Sequence, residues 1–152
     1  MYGLNKLKKN TMSLSLMKKE GSEKNEQKES KSEFAEFIGY LKGAFDQAVV
    51  FHHQTEVYSM HKALNNFYDN IIELTDGLVE STSGIYGRPK GYEIEKPVDY
   101  KNPEQVMSYF KDCYEYIQND RKDIYQESWI QNQVDEIAKL FAETIYQLSL
   151  NK

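Results

Sequence analysis

Residues 83–102 read SGIYGRPKGYEIEKPVDYKN. Gly84, Gly87, Pro89, Gly91 and Pro97 punctuate this stretch, so it reads as an irregular connection between regular elements. A connection of this length within a compact domain signals a crossover or a functional loop. Apolar residues recur at helical spacing on both sides of it. Upstream, Ser32 can cap a helix with an apolar face of Phe34, Phe37, Ile38, Leu41, Ala44, Phe45, Ala48 and Phe51. A second helix carries Val57, Met60, Leu64, Phe67, Ile71, Leu74 and Leu78, and ends at Ser81–Gly84. Downstream, Asn102 caps a third helix with Pro103 in its first turn. Its face is Val106, Tyr109, Phe110, Cys113 and Ile117, and it extends to Tyr125. Ser128 can cap a fourth, with Ile130, Val134, Ile137, Phe141, Ile145 and Leu148. No segment alternates as a strand does. The expected fold is all-α: a four-helix bundle with a long connection between helices two and three. The short links keep helices one and two, and three and four, antiparallel. The long one lets helices two and three run parallel.

Length and charge set the frame. A chain of 152 residues with 39% hydrophobic content suits one domain. No apolar run approaches the roughly 20 residues of a membrane span, and MSLSLM near the start is too short for a signal-peptide core. The single cysteine, Cys113, fits a reducing compartment and falls on a core face. The expected location is the cytoplasm. Residues 1–31 hold eight lysines and four glutamates, although the whole chain carries −5. This segment has little apolar periodicity and reads as a disordered Lys-rich arm ahead of a bundle at residues 32–152. Lys6, Lys8, Lys9, Lys18 and Lys19 precede the first acid, and such a run can bind nucleic-acid phosphates through counterion release. A solubilising tail would look much the same.

The chemistry concentrates in helix two. His52, His53 and His61 are all the histidines of the chain, and Asp76 and Glu80 follow on the same helical pattern. Imidazole and carboxylate are the ligands of a transition-metal site; they are also common on a wet helix face. At about 100° per residue, His61, Asn65, Tyr68, Ile72, Asp76 and Glu80 form a strip off the core seam defined by Met60. A site on that strip needs a second subunit to complete it, so a homo-oligomer is expected.

In spacing, His61, Asp76 and Glu80, preceded by a histidine at the end of helix one, resemble the Dps miniferritins of the ferritin-like superfamily. The phrase from His52 to Asp69, H-x-Q-T-x2-Y-x2-H-K-A-L-x3-Y-D, followed by Leu78-Val79-Glu80, is similar still more closely to uncharacterised ferritin-like proteins of tailed phages. The Dps resemblance implies iron held between two-fold related subunits, by His52 or His53 and His61 from one copy and Asp76 and Glu80 from the other. It further implies oxidation of Fe(II), storage in an oligomeric shell, and a DNA-binding arm. For a phage-encoded chain the compartment would be the host cytoplasm. Asn65 stands where those proteins carry an aspartate, so it offers at most a weak neutral ligand or an indirect contact. The spacing from His52 to His61 is also shorter than in those proteins. Two functions follow: an iron-binding miniferritin with ferroxidase activity, or a non-catalytic ferritin-like module with a structural or protein-binding role.

Overall fold

The computed structural model describes the backbone of residues 19–150 and the side chains of residues 32–150. Among the described residues there are four α-helices: α1 (Lys19–Gln54), α2 (Tyr58–Tyr86), α3 (Pro103–Asp120) and α4 (Ser128–Ser149). Among the described residues there is no strand.

Ring contacts give the directions. Phe45 meets Tyr68 and His52 meets His61, so α1 and α2 are antiparallel. Tyr40 stacks on Tyr116 while Phe51 meets Tyr109, so α1 and α3 are antiparallel too. Phe67 with Phe141, and Ser81 with Gln133, set α2 against α4 in the same sense. The helices are therefore ordered α1–α2–α4–α3 around a square, with each neighbour antiparallel and α2 parallel to α3, the topology that the long connection predicts. The core is one continuous cluster, centred on Phe67, Phe110 and Phe141, all fully buried.

Several boundaries differ from the sequence reading. The segment expected to be an arm is in part helix, because α1 starts at Lys19 and not at Ser32. Glu, Lys and Gln are good helix formers, and extending an existing helix avoids the cost of nucleation. Lys6, Lys8, Lys9 and Lys18 lie outside the described residues. Helix α2 continues through Gly84 to Tyr86 and is stopped by Gly87, whose φ of 80° suits glycine. Helix α3 stops at Asp120, short of Tyr125, and a 3-10 turn follows at Arg121–Asp123. There the Arg121 side chain reaches to α4. Its Nε donates to Gln131 Oε1 at 2.9 Å and its Nη2 to Asp135 at 2.6 Å. Gln131 Nε2 donates back to the Arg121 and Tyr125 carbonyls. These bonds satisfy backbone groups that a longer α3 would have paired within itself. Glu127, one residue before Ser128, is the N-cap of α4.

The connection 87–102 is no free loop. It crosses α1 at Gly39 and continues along that helix towards its C-terminal end. A Cβ on Gly39 would lie 2.2 Å from the Glu93 carbonyl oxygen, so only glycine admits the backbone there. One turn on, a Cβ on Gly43 would meet the Glu95 backbone nitrogen at an ordinary 3.6 Å. Buried Gln47 then pairs with Val98 as a strand would. Its Oε1 accepts from the Val98 N–H at 2.9 Å, and its Nε2 donates to the Val98 carbonyl at 2.8 Å. Gln54 repeats the device, accepting from the Tyr100 N–H at 2.7 Å.

Candidate metal centre

The link between α1 and α2 is only residues 55–57, and it folds the last turn of α1 onto the first turns of α2. Thr55 fixes the reversal: its N–H donates to the Phe51 carbonyl and its Oγ1 accepts from the Val57 N–H. The result brings His52 and His61 together. His52 Nδ1 donates to the His61 carbonyl at 2.8 Å, and His61 Nδ1 donates to the His52 carbonyl at 3.0 Å. A carbonyl oxygen can only accept, so both rings carry their proton on Nδ1. In the neutral state each Nε2 is then a lone-pair donor. A backbone carbonyl orienting an imidazole through Nδ1 is the usual support of a metal-ligating histidine. The rings stack at 3.7 Å with planes 21° apart. Tyr68 meets the His52 ring edge-on at 5.2 Å.

His52 is buried, whereas His53 is exposed beside it at 5.7 Å between ring centroids. The partner of His61 is therefore His52, which the sequence had left open between the two. Asn65 sits one turn beyond His61, but its amide is engaged at both ends. Its Nδ2 donates to Asp69 at 2.7 Å, and its Oδ1 accepts from the Tyr68 hydroxyl at 3.1 Å. Asp76 and Glu80 are exposed further along α2. They are fifteen and nineteen residues from His61, about 22 and 28 Å at 1.5 Å per residue. Within one chain they do not meet the histidines. Among the described residues no three His, Cys, Asp or Glu side chains come together as a metal would need. Burial, and then the Asp76 charge, raise the Tyr92 phenol of the connection. The Lys42 ammonium lies over the Tyr92 ring, 5.9 Å from its centroid.

The stretch that forms this pair lies inside a known family model, which matches residues 52–148. The chain belongs to DUF5856, a family of unknown function. The DUF5856 match opens at His52 and spans α2, the whole connection, α3 and nearly all of α4. No curated protein and no solved structure matches the chain.

The sequence reading missed the seat of the connection. Gly39, Gly43 and Gln47 recur every fourth residue on α1, which places them on one stripe. Two glycines at that spacing inside a helical pattern are costly unless something packs on them, and that cost was the available signal.

Proposed function

We propose that this DUF5856 protein takes Fe(II) as its substrate between the α2 helices of two copies. The observation that supports this most is the His52–His61 pair, whose Nδ1 protons are committed to carbonyls so that each Nε2 is left to ligate. Imidazole nitrogen suits Fe(II), and added carboxylates suit it further. Asp76 and Glu80 of a second copy are the proposed completing ligands, since an antiparallel pairing of two α2 helices sets the far end of one beside the near end of the other. Bound there, iron would supply the redox capacity to react with peroxide or oxygen. The protein's part is to hold the imidazole tautomers and to supply negative charge. Lys6, Lys8, Lys9, Lys18 and Lys19 are the proposed contacts to DNA phosphates.

The ring stack favours a second reading. Two nearly parallel imidazoles direct their lone pairs within separate planes, so one ion cannot lie in both planes unless a ring turns. On this reading the pair is a clasp that satisfies a C-terminal carbonyl of α1, and the protein is a helical module with a structural or protein-binding role. Anaerobic Fe(II) titration followed by oxidation separates the two, comparing the wild type with His61→Ala/Glu80→Ala. Stoichiometric binding and oxidation lost in the variant supports the iron reading. Equal behaviour of the two proteins leaves the clasp. For the arm, replacing Lys6, Lys8, Lys9 and Lys18 by Gln should remove a salt-sensitive DNA shift; an unchanged shift takes the arm out of the account.

A further inference from the structure

Where the connection passes over α1 it roofs a cleft between α1 and α3 of about 810 Å³, within the range of small-molecule sites. The floor is aromatic. Tyr40 and Tyr116 stack at 3.6 Å with planes 17° apart, and Tyr109 lies beside them. All three bordering elements bring acids to the lining: Glu36 from α1, Glu93 and Glu95 from the connection, and Asp112 and Glu115 from α3. Among the described residues Lys96 is the one cation of the lining. The charge reaches the floor: burial raises the Tyr116 phenol, and the carboxylates of Asp120 and Glu36 raise it further.

These properties select a ligand class. Five carboxylates against one ammonium exclude an anion. The carboxylates are spread over three elements, and among the described residues no three converge as a single metal ion requires. A fitting ligand thus carries several separated positive charges. The carboxylates pair with such charges, and the tyrosine rings pack against the methylenes between them. We propose that the cleft between α1 and α3, floored by Tyr40, Tyr109 and Tyr116, binds an aliphatic oligoamine.

Individual exposed carboxylates contribute little in water, so binding rests on several of them together with the aromatic floor and weakens with salt. The probe is spermidine, titrated calorimetrically into the full chain at low and at physiological ionic strength. The expected result is saturable one-to-one binding that weakens about tenfold in Glu93→Gln/Glu95→Gln and again in Asp112→Asn/Glu115→Gln. The control is Glu136→Gln/Glu143→Gln, which removes two exposed acids from α4 and should leave binding unchanged. All four cleft positions are exposed, and circular dichroism of each variant confirms that the fold is kept. Absence of saturable binding overturns the proposal. So does equal weakening in the α4 control, which would mean that spermidine only follows the overall negative charge.

Discussion

Gly39→Ala and Gly43→Ala are the same chemical change on the same stripe of α1, and the structure predicts opposite outcomes. Alanine is favoured over glycine in a helix interior by about 0.5–1 kcal/mol, and both sites gain that. At Gly43 the new methyl meets Glu95 at 3.6 Å, an ordinary contact. The gain stands, and Tm should rise by about 2–4 °C. At Gly39 the methyl would sit 2.2 Å from the Glu93 carbonyl oxygen. The connection must then retreat by about 1 Å, at the overpacking cost of about 1–3 kcal/mol. That retreat also strains the Gln47–Val98 pair downstream, each bond worth about 1 kcal/mol. The net expectation is a loss of about 1–2 kcal/mol and a Tm lower by about 3–6 °C. Thermal melts by circular dichroism, with urea midpoints alongside, read both variants. If Gly39→Ala proves as stable as Gly43→Ala, the connection does not lie on α1 as described.

Other perturbations test other layers. Phe67→Ala removes the centre of the Phe67–Phe110–Phe141 cluster and should cost about 3–5 kcal/mol in urea unfolding with the slope unchanged; a cost under 1 kcal/mol would contradict the core. Arg121→Ala should cost about 1–2 kcal/mol through its bonds to Gln131 and Asp135. Asp135→Asn should cost less than about 1 kcal/mol, because that carboxylate is largely exposed. Alkaline stability follows from Cys113, whose thiol burial pushes up to about 12 although the Tyr40 and Tyr109 hydroxyls, donating to its sulfur, partly offset this. Its neutral form is favoured by folding. The contribution is therefore complete below about pH 9, where an unfolded thiol titrates, and is lost as pH rises towards 12 at up to about 1.4 kcal/mol per pH unit. Tyr40, Tyr109 and Tyr116, raised chiefly by burial, act in the same direction above about pH 10. Urea midpoints should fall steadily from pH 9 to 11, and a flat profile would refute this account.

The apolar periodicity made the four helices and their order legible before any coordinates, because burial on one helix face leaves a regular trace. Met60, Leu64, Phe67, Ile71 and Leu78 are all buried as that trace requires. Boundaries were less legible. The end of α3 depends on Arg121 finding Gln131 and Asp135, a tertiary event with no local signature. At the candidate centre, helical angles placed His61, Asp76 and Glu80 off the core. They could not decide between His52 and His53, because the answer lies in how residues 55–57 reverse the chain. The stack of the two imidazoles and the acidic cleft arise from elements distant in sequence, so no window of residues contains them.

The glutamine pairing of the connection has a dynamic consequence. Val98 and Tyr100 give their N–H groups to the side chains of Gln47 and Gln54, not to a helix or sheet ladder. Their amide hydrogens are protected only while two side-chain rotamers hold. They should exchange with solvent by opening of the connection alone, well before the core amides around Phe67 that wait for global unfolding. The roof of the cleft and the walls of the bundle would then move on separate clocks, and a ligand bound beneath residues 93–98 would register first as slowed exchange at those two positions.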